Sequence, residues 1–313
     1  MRWSYSASQS FRQCQRQWFF KNIVASARAS EPFRRRAYLL SKLQSVSAWR
    51  GKVVDEVISK TLVPSLNRRA TPTLKVVRQR ARDLFDGQLD FALSHPIDDP
   101  DLRVSDEGED FTLLYGMEYG QPPTEQEIEQ AWAEIEQALA NLYKMSVVRD
   151  ALKSADYVIS QRALQFELMD GVTVLAYPDA VVFSSGRAPL IVDWKVHAFG
   201  QSDARLQLAI YAIALSRAKR HSDFPDDFYC KPSDVSLLEA QLLTEAAREH
   251  RIDEDEITEA EEYMISSAYE ISCLTEGKKY KDLSADDFQT ARHAESCQRC
   301  SFRTICWETS HAH

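Results

Sequence analysis

Two apolar runs rich in β-branched residues, each carrying charge near its end, constrain this chain more than any other feature. Residues 172–183 bear Pro178 and Asp179 toward their C-terminal end, and Leu190–Lys195 reads Leu-Ile-Val-Asp-Trp-Lys. Residues 184–189 between them supply turn chemistry, and residues 157–168 alternate in part, so three strands in succession are predicted. Residues 203–219 read as an amphipathic helix, and 235–243 as an additional strand. Strands interleaved with helices imply an α/β fold.

Alternation places Asp193 and Lys195 on the same side of their strand. A short hairpin would bring Asp179 beside Asp193. Two carboxylates and an ammonium at the end of buried strands are costly, unless a divalent cation satisfies the acids and leaves Lys195 free. Such an ion, held by Asp179 and Asp193 with the Trp194 backbone carbonyl as an extra ligand, would polarise a phosphodiester and activate a water. Lys195 would orient that water or stabilise charge on phosphorus. A surface hairpin with a plain salt bridge is the competing reading of the same string. On the following helix Gln207 and Tyr211 are four apart and share a face. Upstream, Gly51 opens a predicted helix over 45–62, ended by Pro64, that carries Asp55 and Glu56.

The net charge of −9 argues against a nucleic-acid partner, but the charge is uneven. Residues 1–52 hold eleven Lys or Arg and one acid, Glu31. Arg12, Arg16, Arg34, Arg35, Arg36, Arg50 and Lys52 are the candidate phosphate contacts, interleaved with Phe11, Trp18, Phe19, Phe20 and Phe33, whose rings can stack on unpaired bases or pack as core. No window approaches the roughly 20 apolar residues that span a bilayer. The N-terminal MRWSYSASQS has no apolar stretch of signal-peptide length, so a cytoplasmic location and no membrane are expected. No Gly-rich phosphate loop is present, so any helicase would be a separate subunit.

Residues 6–24 read as one helix, with Ser6 and Gln9 as a capping box. Residues 73–154 are helical and charged, broken at 95–101 and 120–123, and their acidic helix Glu125–Lys144 is a solvated or partner-facing element. Acidic helices are expected over 253–272. The predicted organisation is a basic N-terminal part of the core (1–62), a helical and mostly acidic insertion (63–155), the catalytic core (156–245) and C-terminal helices with a cysteine-rich tail (246–313).

The segment Ser6-Ala7-Ser8-Gln9 through Phe11 and Cys14, the stretch from Gly51 to Asp55, Pro178-Asp179, Asp193-Trp194-Lys195, and Gln207 with Tyr211 together resemble the RecB/AddB branch of the PD-(D/E)XK nuclease superfamily, which the CRISPR adaptation nucleases also join. That resemblance implies a restriction-endonuclease-like α/β core, a central mixed sheet flanked by helices with a helical insertion, in which Asp179 and Asp193 bind Mg²⁺ or Mn²⁺, Lys195 is catalytic, and Gln207 and Tyr211 hold the site or the DNA. It implies a deoxyribonuclease acting on single strands or ends, exonuclease ahead of endonuclease, in DNA repair, recombination or antiviral defence. A catalytically weakened nucleic-acid-binding subunit and an RNA nuclease are the alternatives. The family's usual histidine ligand four residues after the glycine is here Asp55, a hard oxygen ligand that would place three carboxylates at the metal, with Glu56 as the fallback.

Six cysteines are present, Cys14, Cys230, Cys273, Cys297, Cys300 and Cys306. The tail spacing Cys297-x2-Cys300-x5-Cys306 resembles three of the four ligands of a metal or cluster site. The family resemblance supplies Cys14 as the fourth, and with it a [4Fe-4S] cluster clasping the chain ends. A Zn²⁺ site of the same four thiolates is the alternative. Gln15 stands where the family often has proline. Cys230 and Cys273 read as ordinary thiols, and His197, just past the Asp-Trp-Lys strand, as a structural or surface histidine ahead of a catalytic one.

Overall fold

The strand-rich stretch breaks into more pieces than its pattern predicts, and the breaks shape the site. The computed structural model describes all residues except 95, 96, 98, 100, 101, 197–203, 220, 223, 227 and 311–313, and the side chain of residue 310. His197 therefore lies outside the described residues. Two compact units are present, one of Met1–Tyr5, Arg50–Phe85 and Glu125–Ile265, the other of Ser6–Trp49, Asp86–Thr124 and Ser266–His313. The expected insertion 63–155 is shared between them.

The first unit contains strands β1 (Arg2–Trp3), β2 (Tyr157–Ser160), β3 (Leu164–Met169), β4 (Val172–Ala176), β5 (Ala180–Phe183), β6 (Leu190–Lys195), β7 (Ser236–Gln241) and β8 (Ala246–His250). They form a three-stranded sheet ordered β1-β4-β3 and a five-stranded sheet ordered β8-β7-β6-β5-β2. Both are mixed: β1 is parallel to β4, and β6 to β7, while the other pairs are antiparallel. A parallel pair requires a crossover connection, and the helix Ala204–Arg217 lies on the path from β6 to β7.

The predicted strand 157–168 is two strands in different sheets, and so is 172–183. The chain leaves the five-stranded sheet at Gln161 and returns to it at Asp179. Gln161 adopts a left-handed backbone, φ +52°, that a non-glycine residue takes at a cost of about 1 kcal/mol. Pro178, on the other limb, has no N–H to give a ladder. The two breaks lie side by side, because Ser160 pairs with Ala180 and the Gln161 N–H donates to the Asp179 carbonyl at 3.3 Å. Gln161 and Asp179 thus form one corner.

Helix Ala204–Arg217 is not amphipathic, as its pattern suggested, but buried on nearly every side from Leu208 to Leu215. It packs against β3 and β4 and also against β6 and β7, and a helix covered on two sides by sheet has no solvent face to mark in polar residues. Pro64 does not end the upstream helix. The chain stays helical through Val46–Val57, a π-turn at Ile58–Leu62 and Val63–Asn67, and Pro64 falls in the turn directly after that π-turn. Gly51 lies inside Val46–Val57 rather than at its start. The later strand and helix occur close to their expected places, as β7 and Glu254–Thr275.

Among its described residues, the second unit has helices and the two-residue pairing of Leu43–Gln44 with Leu113–Leu114. The helix expected over 6–24 is three pieces, Tyr5–Gln13, Gln15–Phe19 and a π-turn at Phe20–Val24. Ser6 lies within the first turn rather than capping it. The break falls at Cys14, which is extended (φ −161°, ψ 107°) and whose Sγ accepts from the Gln17 N–H at 3.3 Å, so the thiol caps the second piece. Phe11, Trp18, Phe19 and Phe20 are buried; Phe19 stacks on Phe288, centroids 4.5 Å apart, and Phe20 on Phe302 at 5.8 Å. These rings are core.

A Cβ built on Gly51 meets no atom within 4 Å. Gly51→Ala is therefore expected to stabilise the protein by about 0.5–1 kcal/mol, from the conformational freedom that glycine loses in a helix. A higher urea midpoint checks this; an unchanged or lower one would mean that the glycine serves close backbone approach.

Candidate active site

Antiparallel pairing of β5 with β6, in the register Ala180↔Val192, sets Asp179 next to Asp193. The Asp179 Oδ2 accepts the Trp194 backbone N–H at 2.9 Å. On β6, Lys195 Nζ lies 2.7 Å from the Asp193 Oδ2, the same-side geometry that alternation requires. Asp193 is 1% exposed and Lys195 is half-buried.

Asp55 joins them from the Val46–Val57 helix through two donors that sequence reasoning missed. The Gln161 amide nitrogen donates to both Asp55 oxygens, at 2.8 and 3.0 Å, and lies 3.5 Å from Asp179 Oδ1. The Trp194 indole N–H donates to Asp55 Oδ1 at 3.1 Å. Trp194 therefore grips Asp179 with its backbone N–H and Asp55 with its indole. Glu56, the fallback, is paired with Lys60 at 3.4 Å.

Burial raises the Asp179 carboxyl well above the usual carboxylate range, and the charges of Asp193 and Asp55 push the same way, against Lys195 and the Trp194 N–H. Burial also raises Asp55, while Trp194 and Gln161 hold it down in part. Burial lowers the Lys195 ammonium, but Asp193, Asp179 and Glu239 together outweigh it, and the net shift is upward. Lys195 thus stays charged. Glu239, on β7 at the register position of Asp193, is a further acid that sequence reasoning missed, although a lone charge in the apolar run Ser-Leu-Leu-Glu-Ala-Gln was a visible signal. It is held by Gln241 at 2.7 Å and His250 at 3.2 Å.

The Tyr211 hydroxyl accepts from the Gln207 amide at 2.6 Å, and its pKa is raised by burial and by the charges of Asp193 and Asp179. Both residues of the helix therefore belong to this neighbourhood, Tyr211 as a neutral phenol. Arg50 is nearly buried, and its guanidinium bonds Glu134 and the Val196 carbonyl just beyond β6. Lys52 is half-buried, with its pKa lowered by burial.

The other basic candidates lie in the second unit, mostly on protein partners. Arg16 bonds Asp286 at 3.0 Å, Arg34 the Val24 carbonyl at 3.0 Å, and Arg35 the Leu102 carbonyl at 3.3 Å. Arg36 pairs with Glu118 at 3.6 Å, and Arg12 is exposed. In that unit burial pushes the Cys300 thiol up to about 12, and Cys14, Cys306 and Cys297 add to the shift, so these three lie within electrostatic reach of Cys300. Burial raises Cys306 too, against the charge and hydrogen bond of Arg16. Cys230 is buried and Cys273 exposed.

Among the described residues, no three or more His, Cys, Asp or Glu side chains converge closely enough to hold a metal ion as they stand. The acid site still fits a hard divalent cation by its donors: carboxylate oxygens that burial and mutual repulsion leave in want of positive charge. No helix of the described residues is long and apolar enough to cross a membrane.

A carboxyl whose folded-state pKa is raised lowers stability at pH values above its unfolded pKa, the penalty being complete above the folded pKa. Asp179→Asn removes that penalty and keeps an oxygen for the Trp194 N–H. A gain on the order of 1 kcal/mol is expected in urea unfolding at pH 8 with EDTA, shrinking as pH falls toward the ordinary carboxylate range. A loss of stability at pH 8 would contradict the crowding of these acids.

A family model of the PD-(D/E)XK nuclease superfamily matches residues 2–307. Among solved structures, the crystal structure of SSO0001 aligns at 15% identity with 74% of this chain and 97% of its own, at a TM-score of 0.31. No curated protein matches the chain.

Proposed function

From the premise that the chain belongs to the PD-(D/E)XK nuclease superfamily, we propose that it is a Mg²⁺- or Mn²⁺-dependent deoxyribonuclease working at Asp179, Asp193 and Lys195. The observation that carries this reading is the pairing of β5 with β6, which gathers two acids and an ammonium at one strand end. Asp179 and Asp193, with the Trp194 carbonyl, would hold the ion, which when bound polarises the phosphodiester and lowers the pKa of an attacking water. Asp55, engaged by Gln161 and Trp194, acts chiefly by fixing Trp194 and adding negative charge. Lys195, kept protonated by Asp193, Asp179 and Glu239, stabilises charge building on the phosphoryl oxygens rather than serving as a base. Tyr211, oriented by Gln207, offers a neutral hydroxyl beside the acids.

The finer reading is a RecB/AddB-like enzyme, cytoplasmic, degrading single strands or ends in repair, recombination or defence, with a helicase or other partner supplied separately. Arg12, the other basic side chains of residues 1–52, and the four regions 1–62, 63–155, 156–245 and 246–313 belong to that reading. Lys195→Ala is expected to lower cleavage of end-labelled DNA by about 10²–10³-fold while oligonucleotide binding persists. Retained metal-dependent cleavage would overturn it. Faster cleavage of a matched RNA strand would make the enzyme a ribonuclease, and no cleavage by wild type with any divalent ion would make it a binding subunit.

The charge effects of Cys14, Cys297 and Cys306 on Cys300, with the tail spacing Cys297-x2-Cys300-x5-Cys306, support a four-thiolate site, which we assign to a [4Fe-4S] cluster ahead of Zn²⁺. Anaerobically purified protein is expected to be brown with a broad visible band, and Cys14→Ser to lose colour and iron together. Stoichiometric zinc without iron would overturn the assignment.

A further inference from the structure

One surface of the first unit combines cationic side chains with exposed aromatic rings. A cavity of about 680 Å³ lies between helical residues 58–67 and the β2–β3 corner. Among the described residues no Asp or Glu lines it, although the chain carries 47 acids. Arg68, Arg162 and His221 do, together with the exposed rings of Tyr157 and Tyr177. Gln161 also forms part of its wall, and the same Gln161 amide reaches Asp55 and Asp179. The cavity and the acid site thus meet at the Gln161 side chain, and Tyr177, in the same wall, is two residues from Asp179 along the chain.

A phosphodiester approaching Asp179 and Asp193 meets like charge, so the path to them must supply compensating cations. Arg68 and Arg162 do so. An exposed ring can stack on a base only if that base is unpaired, since duplex bases already stack on one another. β2 is an edge strand, to which a peptide strand could in principle add. The Asn67 side chain already takes both the N–H and the carbonyl of Val158, at 2.9 and 2.8 Å, which occupies the middle of that edge. The charge, the rings and the blocked edge favour nucleic acid over peptide.

We propose that this groove is the path of a single strand of nucleic acid, with Arg68 and Arg162 on phosphates and Tyr177 and Tyr157 against bases, leading one phosphodiester to the acid corner. The proposal rests on the nuclease reading of that corner and names where its substrate lies. It also explains the left-handed Gln161: the corner turns the Gln161 side chain toward the acids while keeping it in the groove wall.

The test is fluorescence anisotropy of a short labelled single-stranded oligonucleotide with the full chain in EDTA, where nothing is cut. Tyr177→Ala is expected to weaken binding about tenfold, with Tyr177→Phe restoring it to within about twofold. Arg68→Ala is expected to reduce the slope of log affinity against log salt by about 0.7. Tyr269→Ala, at a 63% exposed ring in the second unit, controls for loss of any surface tyrosine and is expected to change nothing. Wild-type affinity in both Tyr177→Ala and Arg68→Ala overturns the proposal. So does protection of residues 157–162 from hydrogen exchange by an extended peptide but not by the oligonucleotide. Because binding is read without metal, lost discrimination among these variants in a protein that still cleaves DNA counts against the groove alone. Intact groove binding in a protein that never cleaves counts against the nuclease reading alone.

Discussion

The register of β5 against β6 is the constraint on which the rest of the site depends. With Ala180 opposite Val192, Asp179 stands beside Asp193, and the Trp194 N–H is free of the ladder to bond Asp179. A slip of one residue would turn Asp193 and Lys195 to the opposite face and bring Trp194 in their place. The ladder of Leu190, Ile191 and Val192 against β5, with Ile191 and Val192 fully buried, holds the register. The same burial desolvates the acids, so the interactions that fix the register also create the demand for positive charge that Lys195 meets only in part.

Much of this was legible from the chain. Asp193 and Lys195 two apart in an apolar run, and Gln207 and Tyr211 four apart on the next helix, could be placed by periodicity alone. The corner could not. A pattern of apolar and β-branched residues runs on through 157–168 and 172–183 without announcing that each run changes sheets midway. The change depends on a left-handed Gln161, a residue type that gives no warning of positive φ, and on Pro178, whose meaning is ambiguous until its partner strand is known. Gln161 and the Trp194 indole were missed for the same reason, since a neutral donor becomes part of a site only through its distance from charge. The helix 204–217 misled in the opposite direction: its sequence invited an amphipathic reading, and only its place between two sheets explains why nearly every side is apolar.

The second unit follows a different physics. Its basic residues are distributed along a stretch whose aromatic side chains form core, and Arg16, Arg34, Arg35 and Arg36 satisfy carbonyls and acids within it. Charge composition therefore overstated how much of residues 1–52 faces outward. The break at Cys14 was likewise hidden, because a cysteine is a rare helix cap and a helix through 6–24 fits the apolar spacing as well. The break has a consequence for the thiol: extended backbone turns Cys14 out of the helical register, in the same unit as the three tail cysteines.

The central claim is that Asp179 and Asp193 are gathered for a divalent cation, and direct Mn²⁺ binding tests it without reference to turnover. In an electron paramagnetic resonance titration, wild-type protein is expected to remove free Mn²⁺ signal, and Asp193→Asn to lose that binding with its circular dichroism unchanged. Equal Mn²⁺ binding by wild type and Asp193→Asn, or none by either, would contradict it.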